Sequence, residues 1–215
     1  MESGGIDLRD LGAGVDYGAA AALQDELHAR RVAGTVGDTL LLLEHRPVYT
    51  LGRSANASHI LLNAVELERR GIVRFTTSRG GDVTYHGPGQ LVGYPIIHLG
   101  GRGLGVLAYV TAVEEVLIRT LTDFAILAGR DSRNRGVWVG NDKIAAIGIR
   151  VSRQVTMHGF ALNVNTRLDE YGGIVPCGLT SAGVTSMARV LGRAVDMAGI
   201  KAAVFSHFRT IFGYP

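Results

Sequence analysis

The sequence predicts an α/β (α+β) domain built on a mixed, largely antiparallel sheet flanked by helices. Short apolar runs rich in β-branched residues recur along the chain, most connections between them are too short for helical crossovers, and helical periodicity is confined to a few stretches. A chain of 215 residues fits one domain, taken here as 1–215.

The elements follow in order. Ile6–Leu11 reads as a short strand, and Asp16 caps a helix whose Ala20, Leu23 and Leu27 share one face, ending near Gly34. Leu40–Leu43 is a continuous apolar run, as in a strand buried on both faces, and Val48–Leu51 follows Pro47. The stretch Ile60–Arg70 is ambiguous, with helix one reading. Val73–Phe75, Val83–His86 and Leu91–Ile97 read as strands punctuated by Gly80-Gly81 and Gly87-Pro88-Gly89. From Val106 to about Leu127 the spacing of Val106, Val110, Val113, Leu117, Leu121 and Phe124 is helical. Val137–Val139, Lys143–Val151 and Thr156–Leu162 are three further strands, and Val195–Phe212 is a closing helix.

Composition narrows the function. The formal charge is only +3 and the basic residues are scattered, which argues against a nucleic-acid platform. No apolar run approaches the ~18 residues of a membrane span, and the first residues lack the pattern of a secretion signal, so a cytoplasmic protein without membrane attachment is expected. Twenty arginines stand against two lysines, Lys143 and Lys201. Arginine stays protonated whereas lysine gives up its proton when desolvated, so Lys143 is a candidate for proton chemistry.

One cysteine, Cys177, lies in Pro176-Cys177-Gly178, a turn-forming context. A lone thiol excludes an intrachain disulfide and a Cys-paired zinc site, leaving an inert packed residue, a surface accident or a nucleophile. The densest constellation is Arg79-Gly80-Gly81-Asp82-Val83-Thr84-Tyr85-His86-Gly87-Pro88-Gly89-Gln90. Glycine pairs there admit close backbone approach to a ligand, although tight hairpin turns would also need them. His45, His86 and His158 have neither helical spacing nor cysteine partners, so no metal is expected. The remaining histidines, 28, 59, 98 and 207, read as surface or internally satisfied residues. Phosphate-loop, dinucleotide and hydrolase-elbow patterns do not fit. The runs 144–149 and 157–163 are rich in Ala and Gly, which leaves room beside a sheet for an acyl chain or, equally, lets a helix pack closely.

These motifs, in this order, resemble the lipoyl(octanoyl) transferase family. The resemblance rests on Arg79-Gly80-Gly81-x-x-Thr84-Tyr85-His86-Gly87-Pro88-Gly89-Gln90-Leu91-Val92-x-Tyr94-Pro95, Lys143-Ile144-Ala145 with Ile147-Gly148, His158-Gly159-x-Ala161-Leu162-Asn163 and Pro176-Cys177-Gly178, with Tyr49-Thr50-x-Gly52-Arg53 and Gly136-Val137-Trp138-Val139 in support. It spans about Tyr17 to Ser186. It implies a biotin/lipoate protein ligase-like fold and an octanoyl group passed from octanoyl-acyl carrier protein to lipoyl domains. Those acceptors would be domains of 2-oxoacid dehydrogenase complexes and the glycine cleavage H protein. It also implies an acyl-thioester on Cys177, Lys143 as the residue lowering its pKa, and no cofactor. Substrate contacts would come from Arg79, Gly80, Gly81, Asp82, Val83, Thr84, Tyr85 and His86, from Ala146, Ile147 and Gly148, and from Gly159, Phe160 and Ala161. Backbone N–H groups at Gly80-Gly81 or Cys177-Gly178 would face the oxyanion, and arginines such as Arg69, Arg70 and Arg153 would meet an acidic carrier. The rivals are an ATP-dependent lipoate or octanoate ligase on the same fold, a non-catalytic module binding carrier or lipoyl domains, and a thiol hydrolase.

Overall fold

Leucines 40 to 43 alternate between two cores, which fixes the architecture around them. In the computed structural model, which describes residues 4–175 and 183–215, strand β2 (Thr39–Leu43) is buried along its whole length. Leu40 and Leu42 face one hydrophobic cluster and Leu41 and Leu43 the other, the two-residue period of a strand covered on both sides.

Around it runs an eight-stranded mixed sheet. Strand β1 (Asp7–Asp10) pairs parallel with β2, and β2 pairs antiparallel with β6 (Gln90–Ile96). The antiparallel order continues through β10 (Val155–Asn163), β9 (Asp142–Ser152), β8 (Asn134–Val139) and β7 (Gly129–Asp131). The two-residue strand β11 (Gly183–Val184) joins β9 in parallel. The register of β9 and β10 is closed by Arg153-Gln154, both at positive φ, the backbone demanded by a tight two-residue hairpin turn.

One face of the sheet carries helices α3 (Val106–Asp123) and α5 (Met197–Phe212), the other α1 (Tyr17–Val32). Asp16 caps α1 as expected, accepting a hydrogen bond from the Ala19 N–H. The long helix stops at Asp123, short of the expected Leu127. Ala125 turns left-handed, its N–H bonds to the Thr122 carbonyl, and the Ile126 N–H reaches back to Leu121, a Schellman closure that buries Ile126 and leaves Leu127 exposed. The ambiguous stretch resolves into α2 (Ala64–Arg70), started by a reciprocal Asn63–Glu66 capping box and ended by left-handed Gly71.

The sequence implied one sheet, and the structure adds a second. Strands β3 (Val48–Leu51), β4 (Val73–Thr76) and β5 (Val83–His86) form a three-stranded sheet over a separate cluster that includes Tyr49, Leu67, Ile72, Tyr85 and Tyr171. A five-residue helix, α4 (Met187–Leu191), precedes α5. Among the described residues no helix is long and apolar enough to cross a membrane.

Candidate active site

A cavity of about 340 Å³ lies where the segment before β5 meets β9 and β10, within the range of small-molecule sites. Its floor follows from the register of two strands. Ala146 stands opposite Ala161, and Gly148 opposite Gly159, so four small residues border the space together. Ile147 and Phe160, also partners, have side chains in the core beneath α3 and α5 and therefore border the cavity through backbone.

The segment Arg79–Asp82 forms a wall. Gly80 donates to the Ile149 carbonyl at 2.9 Å, and a Cβ on Gly148 would meet the Gly80 carbonyl oxygen at 2.9 Å. Glycine at 148 is thus what lets the wall rest on the floor. The wall's shape is held by Arg79, which is buried. Its Nη2 donates to the carbonyls of Thr50 and Asp82, each at 2.7 Å, and its Nη1 to that of Gly80 at 3.0 Å. Asp82 is held in turn by His59, whose Nδ1 lies 2.6 Å from the carboxylate.

The inner end is aromatic. Tyr17, at the start of α1, and Tyr94, on β6, border the cavity with His86 and His158. Burial holds His45 and His158 near pKa 4 and His86 well below the ordinary histidine value, with Arg79 adding to the depression of the last two. All three are neutral at pH 7, and two tautomers are fixed by their partners. His86 Nδ1–H donates to Gln90 Oε1 at 2.7 Å, because the Gln90 amide nitrogen is already donating to Tyr85, Asn163 and Tyr171. His45 donates from Nδ1 to the Val15 carbonyl and accepts from the Tyr94 hydroxyl at 2.7 Å. Burial also raises the Tyr17 and Tyr94 hydroxyls, so both stay protonated. Arg79 spends its donors on the wall's own backbone, and Asp82 and His86 are held by His59 and Gln90. His158 keeps one buried ring nitrogen without a partner among the described residues, so the small-residue floor is the part of the lining suited to an apolar chain.

Lys143 borders the cavity from β9, opposite Trp138 on β8. Beside it β11 runs parallel, with Gly183 level with Asp142 and Val184 level with Lys143. Pro176, Cys177 and Gly178 lie outside the described residues.

The structure therefore gathers Arg79, Gly80, Gly81, Asp82, Val83, Thr84, His86, Lys143, Ala146, Ile147, Gly148, Gly159, Phe160 and Ala161 around one space. Tyr85 departs from this set. On β5 it points the other way, its ring packing edge-on against Tyr49 and Tyr171 in the core of the small sheet. Gly80 also departs in part, since its N–H is committed to Ile149 and Gly81 is left as that pair's oxyanion candidate. Arg70 is engaged with Glu170 at 3.1 Å. Tyr17, Ser54, Tyr94, Asn134 and His158 also border the cavity, outside the expected substrate contacts.

A family model, the lipoyl protein ligase A/B catalytic domain, matches residues 16–209. The chain belongs to this family. Within it, the chain is similar to the octanoyltransferase of Solibacter usitatus, 52% identical over 207 residues that cover 96% of this chain and 93% of the relative. The octanoyltransferase of Rubrobacter xylanophilus is 46% identical over 212 residues, covering 98% and 95%. That of Desulforamulus reducens is 46% identical over 201 residues, covering 93% and 88%. Solved structures share the fold at low identity. A lipoate-protein ligase A bound with ATP superposes with a TM-score of 0.74 at 13% identity, covering 98% of this chain and 85% of that one. The biotin protein ligase of Aquifex aeolicus with biotin and ATP gives 0.59 at 14%, covering 96% and 70%. The matched residues thus include the whole small sheet and every strand of the large one but β1, and the cavity lies between the two.

Proposed function

We propose that this protein transfers an octanoyl group from octanoyl-acyl carrier protein, through a thioester on Cys177, to the acceptor lysine of a lipoyl domain. The cavity carries this reading: a space floored by Ala146, Gly148, Gly159 and Ala161, with Lys143 on its border. The similarity to octanoyltransferases along almost the whole chain supplies the acyl group.

The chemistry closes as a cycle. A free thiol is mostly protonated at neutral pH, and a nearby ammonium favours the thiolate, so charged Lys143 activates Cys177. The thiolate adds to the carrier thioester carbonyl; the carrier sulfur leaves and takes its proton from Lys143. One thioester replaces another at little net cost. Lys143 is then neutral. When the acceptor lysine amine adds to the Cys177 thioester, Lys143 accepts the amine proton, the amide forms, and the Cys177 thiolate and Lys143 ammonium are both restored. An arginine at 143 would supply the charge but not the proton traffic.

The test is to incubate the protein with octanoyl-acyl carrier protein and apo lipoyl domain, without nucleotide, and follow all three intact masses. An octanoyl adduct should appear on the enzyme, then on the lipoyl domain. Cys177→Ser should carry no adduct, and Lys143→Arg should lose most turnover. Transfer that strictly requires ATP and free acid, or an adduct persisting on Cys177→Ser, would overturn the proposal.

A further inference from the structure

The chain's only tryptophan, Trp138, lies against Lys143. The Lys143 Nζ sits 5.3 Å from the ring centroid, inside the range in which an aromatic face attracts an ammonium. The contact is built by irregular backbone. A register shift between Val137 and Trp138 brings Trp138 level with Lys143, and Gly136, at φ 132°, clears the lysine stem. A Cβ at that glycine would meet Lys143 Cε at 2.6 Å. The indole is itself fixed: it is buried, and its Nε1–H donates to the Asn134 carbonyl at 3.3 Å.

Among the described residues, charged groups near this pair are themselves engaged, Arg135 on β8 with Glu114 at 3.6 Å among them. Arg133 lies 4.8 Å from the same ring and is bound by the Asp131 carboxylate and by Asn141. From α3, the buried Glu114 accepts from the Gly136 N–H and pairs with Arg130. Asp142 precedes Lys143 on β9, next to Gly183 of β11. Trp138 thus adds to Lys143 an uncharged face that favours the ammonium without neutralising it as a carboxylate would.

We propose that Trp138 is a positioning residue for Lys143, holding its ammonium at the cavity border where that charge sets how much of Cys177 is thiolate. The inference rests on the transfer reading above and adds to it a residue that acts through Lys143.

The experiment uses the whole chain and its only cysteine. The rate of iodoacetamide alkylation is measured against pH for wild type, Lys143→Met, Trp138→Leu and Trp138→Phe, with thermal melts confirming that each is folded. Lys143→Met should raise the alkylation midpoint. Trp138→Leu should raise it by about 0.5–1 pH unit, and Trp138→Phe, which keeps a weaker aromatic face, should recover at least half of that shift. A Trp138→Leu midpoint equal to wild type, while Lys143→Met shifts it, overturns the Trp138 role and leaves the transfer reading standing. A midpoint unmoved by Lys143→Met overturns both. Should leucine at 138 prevent folding, two measurements decide. Trp138→Phe must still show a raised midpoint, and the indole fluorescence must change in Lys143→Met; unchanged emission overturns the contact.

Discussion

Ala146 on β9 and Ala161 on β10 are register partners, and both border the cavity that the Arg79–Asp82 segment walls. On the transfer reading, larger side chains there would take space from the acyl group. Ala146→Leu is the milder change, because Ala146 is half-buried whereas Ala161 belongs to the core against α1. It should lower octanoyl transfer at least ~10-fold while sparing butanoyl transfer, the discrimination expected of lost pocket space. Comparing kcat/KM for carriers loaded with the two acyl groups checks this; equal losses for both would place the chain elsewhere.

Arg79 spends its guanidinium on backbone oxygens of Thr50, Gly80 and Asp82. Its replacement is therefore a stability experiment as much as a binding one. Arg79→Met should cost about 3 kcal/mol in urea unfolding, since buried carbonyls lose charge-assisted donors. Arg79→Lys should recover little, because one ammonium cannot reproduce a planar fork. Full recovery by lysine would show that charge, not geometry, is what matters at this position.

Acid should weaken the fold through its buried histidines. His45 and His158 titrate near 4 in the folded protein against about 6.5 when unfolded. The unfolded chain thus binds more protons between those values. Their contribution is complete above about pH 6.5 and is lost as pH falls towards 4. Urea unfolding at pH 5 should show a stability lower than at pH 7.5 by up to about 2 kcal/mol for each histidine. A flat profile across that interval would mean that these rings are protonated in the native state.

Much of this was readable in the residues, and what was not has a common cause. Asp16 announced α1 and the leucine run a strand covered on both faces, while the Ala- and Gly-rich strands left space beside the sheet and close helix packing as equal readings. All are local signals. The capping box at Asn63 and Glu66 was also present in the sequence, yet the apolar pattern of Ile60–Arg70 is too short for periodicity to decide it. The end of α3 was misjudged because an alanine, not a glycine, adopts the left-handed closing position. Tyr17 sits in an ordinary helix pattern, and Tyr94, although within the motif shared with the family, was not assigned a contact; both reach the site only through tertiary packing. Tyr85 was included with its neighbours by motif, and strand alternation turned it away. The Pro176-Cys177-Gly178 turn remains a reading of the sequence and of its family.

The small sheet has its own core. Tyr49, Leu67, Ile72, Tyr85 and Tyr171 bury one another rather than joining the clusters under α1 or α3 and α5. The two walls of the cavity are thus expected to open separately, the smaller at a cost below that of global unfolding. Native-state hydrogen exchange should release the amides of β3, β4 and β5 before those of β2, β6 and β10. Such an opening would be a way for a carrier-bound chain to enter sideways, without threading through a fixed mouth.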